Sequence, residues 1–384
     1  MKFTENILIF DQEIGGHHLE YVHHLYSKNV DSKHKKIIFL LPPKFELLKG
    51  GFIWPKTENI HIFYLSSDDI SSLKNKSGIS KSLIISKIIK KAVNKYNIQK
   101  IFLISLMSVL PFLPFLLNKK IKVSGIIYLI YLYRWKKSNF LSKGSDLLKY
   151  FILSKFVIFD NLFLLNDQIS PVIINKKFKT TKFKYLPDPI NVNNHNAIFD
   201  LRSKLKIDKS SVIYAHFGAL DERKGTLEIL KAISLSNLTL KDKRFFIFAG
   251  KINHSIESEF YQLVEQLKTK VIIHVYNQFV DSVFIASLCS TSNYLLIPYK
   301  NICQSSGVLS YAASFKVPVI APGLGLLGKL IKRNRLGYLL KDGSSNSIKD
   351  FLDSEDKFND IEVSNNYTKG RSINDFSVKI LNSI

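Results

Sequence analysis

The sequence has few cysteines, few acidic residues and no long uninterrupted apolar run. Cys289 and Cys303 are the two cysteines in 384 residues, which excludes a disulfide framework and is typical of a reducing cytoplasm. The N-terminal stretch MKFTENILIFDQE has polar and acidic residues where a secretory signal needs an apolar segment. The longest apolar run, residues 101–117, contains two prolines and two serines. It predicts a buried strand followed by a helix, and we expect a cytoplasmic protein.

The shortage of acidic residues leaves a net charge of +24, from 55 Lys and Arg against 31 Asp and Glu. Residues 1–200 hold 30 basic and 14 acidic residues, a net +16; the remaining 25 against 17 give +8. Residues 80–96 place an apolar face (Ile84, Ile85, Ile88, Ile89, Ala92) among lysines (Lys81, Lys87, Lys90, Lys91, Lys95). This pattern fits a core helix with a solvated basic face, or a helix on an anionic membrane surface. The sequence has no zinc finger, helix-turn-helix or aromatic-interleaved basic strand, so we expect no nucleic-acid partner.

Strand-like and helical patterns alternate along the chain. The first series of predicted strands covers residues 6–11, 36–41, 60–64, 100–105, 122–130, 161–165 and 182–186. The stretch LPDPINVNNHNAIFD then reads as a linker, because two prolines precede a polar, asparagine-rich segment. The second series covers residues 211–220, 245–250, 271–277, 294–299 and 317–322. The pattern predicts an α/β protein of two successive βαβ domains, residues 1–190 and 191–384, and leaves open a return of the last helix to the first domain.

Four histidines follow two glycines in the segment IGGHHLEYVHHL, residues 14–25. His17, His18, His23 and His24 contain no pair separated by three or four positions. A zinc-binding helix requires that spacing, so we expect no metal ion here. Gly15 and Gly16 instead join a predicted strand to a predicted helix, which is how an anion-binding loop at a helix N-terminus begins. A plain tight turn remains the alternative.

Two motifs in the second half are typical of a nucleotide site. In GALDERKGTLEILKAI, Arg223 and Lys224 precede Gly225 at the start of a predicted helix. Two cations and helix N–H groups suit a diphosphate. In the segment 298–331, Ser306 and Gly307 start a helix of small residues, and a later turn contains glycines at which a ligand can approach the backbone closely (Gly323, Gly325).

These residues resemble the family-4 glycosyltransferases, whose GT-B fold has two Rossmann-like βαβ domains facing each other across a cleft. That family's C-terminal pattern is matched in order by Gly218, Leu220, Lys224 and Gly225, and later by Ala312, Pro318, Val319 and Ile320. YLPDPI, residues 185–190, corresponds to the turn that ends the family's first domain, and IGGHH to its first glycine loop. The resemblance covers nearly the whole chain.

The chain departs from the family pattern at the usual arginine and at both usual glutamates. Ala219 stands at the arginine position, with Arg223 as a possible substitute; Cys303 and Tyr311 stand at the glutamate positions, and Lys316 replaces a helix-ending glycine. The resemblance implies that Tyr311 could hydrogen-bond a ribose and that Gln304 could reach the sugar. Neither replaces the charge of a carboxylate.

The resemblance implies transfer of a sugar from a nucleotide donor on the second domain to an acceptor on the first. The expected acceptor is a glycan or a lipid-linked acceptor in surface polysaccharide or glycoconjugate biosynthesis, and the expected location is the cytoplasm or the inner membrane face. Lys224, Arg223 and the N–H groups near Ser306 and Gly307 would stabilise the leaving diphosphate without a metal or cofactor. If the reaction inverts the sugar, the candidate bases are Asp11, His17, His18 and Glu20. The alternatives are a non-catalytic nucleotide-sugar-binding or scaffold protein, and a nucleotide-sugar epimerase.

Overall fold

A computed structural model describes residues 5–13, 15, 17–29, 35–134, 139–190, 198–301, 303–354 and 361–384. The chain divides into two compact units, residues 1–189 with 371–384, and residues 190–370. The C-terminal segment therefore packs on the first unit, the alternative that the sequence left open.

The first unit contains a seven-stranded sheet in which every pair of neighbouring strands is parallel, in the order β3-β2-β1-β4-β5-β6-β7. Its strands are β1 (Glu5–Phe10), β2 (Lys35–Leu41), β3 (Ile60–Tyr64), β4 (Lys100–Leu103), β5 (Lys122–Ile127), β6 (Phe159–Leu165) and β7 (Phe183–Leu186). The strands are nearly continuous apolar runs because helices cover both faces of a parallel sheet.

The second unit contains a six-stranded parallel sheet in the order β10-β9-β8-β11-β12-β13. Its strands are β8 (Val212–Phe217), β9 (Arg244–Ala249), β10 (Ile272–Tyr276), β11 (Tyr294–Leu296), β12 (Val319–Pro322) and β13 (Gly337–Leu340). All twelve predicted strands are confirmed within a few residues at their ends. β13, a four-residue strand that begins with glycine, was not predicted.

The described residues contain fifteen α-helices, of which the last two follow the last strand. Those up to β7 are α1 (His18–Asn29), α2 (Lys44–Leu48), α3 (Ser67–Leu73), α4 (Gly78–Tyr96), α5 (Leu113–Leu116), α6 (Phe140–Lys155) and α7 (Ser170–Phe178). The others are α8 (Leu201–Lys204), α9 (Thr226–Leu235), α10 (His254–Leu267), α11 (Ser282–Thr291), α12 (Val308–Phe315), α13 (Gly325–Asn334), α14 (Ser345–Leu352) and α15 (Ile373–Leu381). α15 packs against α1 and adds Phe376 and Ile380 to the core of the first unit.

The amphipathic segment at residues 80–96 forms most of α4, and its apolar face belongs to the core. Ile85 and Ile89 have no exposed surface, whereas Lys87, Lys90 and Lys91 are exposed. Burial of this face against the sheet stabilises the fold. The face with Ile85 and Ile89 is therefore part of the core and the lysines are solvated, whereas Ile79 in the first turn of α4 is exposed.

In both sheets, successive strands are first added on one side of the first strand and later strands on its other side, so the strand order reverses there. In the first unit the change falls between β1 and β4, and in the second between β8 and β11. In open α/β sheets, ligands bind outside the carboxyl ends of the strands at such a point. The loops after β1 and after β8 are the places to look for a site, and both contain motifs that the sequence singled out.

Candidate functional site

The turn between β8 and α9 is built around Asp221. One carboxylate oxygen of Asp221 accepts a hydrogen bond from the Lys224 backbone N–H at 2.8 Å, and the other pairs with the Arg223 guanidinium at 3.3 Å. Gly225 follows with a φ of +72°, and a Cβ there would lie 2.5 Å from the Pro298 carbonyl oxygen. Glycine is required here because both the positive φ and this close approach exclude a side chain.

The Lys224 ammonium lies at the carboxyl end of β8. Its Nζ is 3.5 Å from the Phe217 carbonyl oxygen and 5.3 Å from the centroid of the Tyr299 ring. Gly218, with a φ of +95°, leaves the space for this amine, since a Cβ on Gly218 would lie 2.5 Å from Nζ. Gly218 and Lys224, which the sequence matched to the same motif, thus lie in direct contact.

Ser306 and Gly307 lie where α12 begins. The Ser306 hydroxyl donates to the Tyr299 hydroxyl at 3.3 Å and accepts from the Val308 N–H at 3.2 Å. Tyr299 therefore contacts both Ser306 and Lys224, and links the loop after β11 to the loop after β8. These side chains form one polar set next to the change in strand order of the six-stranded sheet.

The remaining predicted residues of the second unit lie around this set. Tyr311, on the first turn of α12, is half-buried and meets the Phe217 ring edge-on at 5.9 Å, and Gln304 is half-buried. Cys303, the other residue that the sequence resemblance aligned with a glutamate, is buried. The turn after β12 contains the two predicted glycines, of which Gly325 opens α13 with a φ of +66°. β11 pairs with both β8 and β12, so the loops after these three strands share one edge of the sheet.

Two supporting residues of this unit were not found from the sequence. His216 is buried, with Nδ1 2.8 Å from the Leu296 carbonyl oxygen and Nε2 3.0 Å from the Thr226 hydroxyl. Burial lowers the pKa of His216 to about 4, so the ring is neutral and joins β8, β11 and α9. Lys300 pairs with Glu222 at 3.2 Å and Glu228 at 3.3 Å, and its N–H donates to the Arg223 carbonyl. Both residues hold the loops that position Lys224.

In the first unit, Asp11 and His18 form a hydrogen-bonded pair after β1. Asp11 has no exposed surface, and one of its oxygens is 2.6 Å from His18 Nδ1. Burial raises the pKa of Asp11, partly offset by His18. For His18, burial lowers the pKa, but the hydrogen bond and charge of Asp11 outweigh it, so the pKa is raised. The pair fixes Nδ1 as the protonated nitrogen and leaves Nε2 as the basic position.

The His18 ring packs in a row with two tyrosine rings. The His18 ring stacks on Tyr128 at 5.4 Å, and Tyr128 stacks on Tyr21 at 6.4 Å. The Tyr21 hydroxyl donates to the Asp188 carboxylate, and Arg371 donates to the Asp188 carbonyl at 3.4 Å. The Tyr128 hydroxyl is buried and has no hydrogen-bond partner in the described part of the chain. Local sequence patterns could not reveal this arrangement, because Tyr128 follows β5, Asp188 follows β7 and Arg371 lies in the C-terminal segment, all far in sequence from α1.

The other histidines of the opening motif have separate partners. His17 pairs with Glu20 at 3.3 Å on an exposed surface of α1, and Gly15 accepts from the His18 N–H. His23 Nε2 donates to the Ile53 carbonyl oxygen at 3.1 Å. His24 is buried, and burial lowers its pKa to about 4. Gly16 lies outside the described residues. Within the described ranges, no group of three or more His, Cys, Asp or Glu side chains could hold a metal ion.

No protein-family model and no curated protein sequence matches this chain. Among solved structures, HepE from Anabaena in complex with UDP has a TM-score of 0.68 at 13% identity, covering 99% of each chain. WaaG, a glycosyltransferase involved in lipopolysaccharide biosynthesis, has a TM-score of 0.67 at 12% identity, over 97% of this chain and 98% of its own. A glycosyltransferase from Rickettsia africae gives 0.65 at 14% identity, over 98% and 97%. The two-domain α/β fold of this chain is thus the GT-B fold of these glycosyltransferases.

Proposed function

We propose that this chain is a glycosyltransferase that moves a sugar from a nucleotide-sugar donor to a glycan or lipid-linked acceptor. The observation that carries the proposal is the Lys224 ammonium at the carboxyl end of β8, in a space that Gly218 leaves open. The GT-B fold supports it, and HepE, a structure of this fold, has been crystallised with UDP-glucose. The acceptor class suggests surface polysaccharide or glycoconjugate biosynthesis.

The second unit would bind the donor. When the sugar leaves, negative charge develops on the phosphate oxygens, and Lys224 would stabilise it at closest range, with Arg223 as a more exposed second cation. The start of α12 at Gly307 adds the positive end of a helix dipole. Tyr311, Gln304, Gly323 and Gly325 would surround the nucleoside and the sugar. These protein charges are the reason for proposing that no metal or cofactor takes part.

The first unit would bind the acceptor, and His18 would act as general base. His18 Nε2 would remove the proton from the acceptor hydroxyl, whose oxygen attacks the sugar C1. The bond from C1 to the phosphate oxygen breaks, and the nucleoside diphosphate leaves with that electron pair. Asp11 would stabilise the imidazolium that forms, at the 2.6 Å hydrogen bond to Nδ1. Of the four candidate bases, His18 with Asp11 is supported best, because His17 is exposed, Glu20 is half-buried and these two pair with each other. This role implies inversion at C1.

Cys303 and Tyr311 are the reason for a second candidate function, a protein that binds nucleotide sugars without transferring the sugar. A buried thiol and a tyrosine that packs on Phe217 cannot supply the charge of two carboxylates. A protein that binds nucleotide sugars without transferring them would need the Lys224 site but not the Asp11–His18 pair. Nothing at the site favours an epimerase in particular.

A panel of UDP, GDP, ADP and dTDP and their sugars tests the proposal by thermal shift, followed by turnover with candidate acceptors. A bound donor at about 100 times its Kd should stabilise the fold by about 2.7 kcal/mol. Binding with acceptor-dependent release of a nucleoside diphosphate supports the transferase, and binding without any turnover supports the second candidate. If no compound of the panel shifts the melting temperature, the donor site is wrong.

A further inference from the structure

Helices α6 and α7 of the first unit expose large apolar side chains at an unusual level. Phe140 is 89% exposed, Leu141 80% and Val172 66%. We call the exposed apolar set on these two helices the α6–α7 face; it consists of Phe140, Leu141, Leu148, Phe151, Val172 and Ile173. Contiguous apolar patches of this kind mark interaction sites on proteins.

The exposed residues of this face are not needed for the core. The opposite side of α6 already buries Tyr150, Ile152 and Leu153, and α7 buries Ile174. α6 and α7 pack against each other, so their outer sides form one surface. A surface helix normally presents polar residues to solvent, and here the solvent side carries these large apolar residues beside its lysines. The α6–α7 face is therefore suited to a partner that accepts apolar side chains.

The charge around the face identifies the chemistry of that partner. Residues 139–182 contain seven lysines (Lys143, Lys149, Lys155, Lys176, Lys177, Lys179, Lys182) and three aspartates (Asp146, Asp160, Asp167). Asp146 is buried against Arg134, and Asp167 is buried against Tyr133 and Ser170. Asp160 is exposed, but it belongs to β6. Exposed apolar residues flanked by lysines, with few exposed carboxylates, complement an anionic lipid surface.

The position of the face relates it to the acceptor site. In a parallel sheet each connecting helix begins near the carboxyl end of the preceding strand, so Phe140 and Leu141 lie on the side of the sheet where β5 ends at Ile127. Tyr128 follows there and stacks on His18. α4, α6 and α7 connect strands in the same direction along the sheet, and right-handed crossovers put them in one layer. The exposed lysines of α4 thus belong to the layer that carries the apolar face.

We propose that the α6–α7 face docks the first unit on an anionic lipid bilayer, so that a lipid-linked acceptor reaches the Asp11–His18 pair from the membrane. The choice of a lipid-linked acceptor rests on the proposed function; the docking itself does not. The apolar contact comes from α6 and α7, while α4 contributes the charge of its exposed lysines, because Ile85 and Ile89 are in the core. Within the described residues no helix is both long and apolar enough to span a bilayer, so the contact is superficial.

Co-sedimentation with phosphatidylcholine vesicles, with and without phosphatidylglycerol, tests this proposal on the full chain. Wild type should bind the vesicles that contain phosphatidylglycerol. Binding should weaken between about 0.1 M and about 1 M salt, because the Debye length falls from about 10 Å to about 3 Å. The double variant Phe140→Ser, Leu141→Ser should lower the partition coefficient about tenfold or more. Lys176→Ser and Lys177→Ser should each lower it about fivefold.

Phe279→Ser is the matched control, because Phe279 is also 89% exposed but belongs to the second unit. It should leave the partition coefficient unchanged. Vesicle binding that is equal in wild type and the Phe140, Leu141 double variant, or absent in both, overturns the proposal. Concentration-dependent dimers that the double variant abolishes, without vesicle binding, would assign the face to a second copy and also overturn it. Thermal shift by nucleotides, measured on the same samples, reports separately on the donor site.

Discussion

Replacing Lys224 by methionine should weaken the binding of a nucleoside diphosphate by one to two orders of magnitude and leave the fold intact. Methionine keeps an unbranched side chain of similar length and removes the charge. The ammonium has a single long contact in the described structure, 3.5 Å to the Phe217 carbonyl oxygen, and lies over the Tyr299 ring. Most of its hydrogen-bonding capacity is therefore left for a ligand.

The magnitude follows from a charge-assisted hydrogen bond at a half-buried position. Such a bond contributes about 1.5–3 kcal/mol net, because the ammonium and the phosphate both lose water when they meet. At about 1.36 kcal/mol for each factor of ten, the loss corresponds to about 10- to 150-fold in Kd. The gross attraction of two charges near a protein surface, about 4 kcal/mol at 4 Å, sets the upper limit.

Isothermal titration with the best nucleoside diphosphate of the panel measures this effect. Lys231→Met is the matched control, since Lys231 lies on α9, is half-buried like Lys224 and pairs with Glu259 at 2.8 Å. It should bind like wild type. If wild type and Lys224→Met bind the nucleoside diphosphate with equal affinity, Lys224 does not contact the phosphates. If only Arg223→Met loses affinity, the phosphates bind at the exposed Arg223 instead.

Three further outcomes are expected. Asp11→Asn should lower the pKa of His18, because the Asp11 carboxylate raises it. The acid limb of the pH profile of kcat/KM should therefore shift to lower pH, and its plateau should fall. An unchanged profile would contradict the role of His18 as the base. Gly218→Ala should reproduce part of the Lys224→Met loss in titrations, since its Cβ would lie 2.5 Å from Nζ; unaltered affinity would show that the amine acts elsewhere. Chelation with EDTA should change neither the melting temperature nor turnover, because protein cations supply the charge at the diphosphate; stoichiometric zinc lost together with activity would overturn this.

Secondary structure was predictable because the parallel strands are apolar runs separated by helical periodicity. The spacing of Ile85 and Ile89 placed them on one face of α4, and their burial shows that this face packs in the core. β13 could not be found in this way. It is four residues long and begins with Gly337. Glycine is needed there because a Cβ would lie 2.1 Å from the Val319 carbonyl oxygen of the neighbouring strand.

The candidate site was predictable only where its residues are near in sequence. Asp11 and His18 are separated by seven positions, and both were candidates; their pairing required the turn after β1. Tyr128 and Arg371 were missed, because topology brings them to α1 and to Asp188 from distant parts of the chain. The same holds for the α6–α7 face, since a sequence pattern does not tell which apolar side of a helix the core uses.

A crystal structure of the protein with a nucleotide sugar tests the central claim most directly. We expect a diphosphate with an oxygen about 2.7–2.9 Å from Lys224 Nζ, beside Gly218 and near the start of α12 at Gly307. A nucleotide bound at saturating concentration away from the carboxyl end of β8, with Lys224 remote from its phosphates, would contradict the donor site and the function proposed from it.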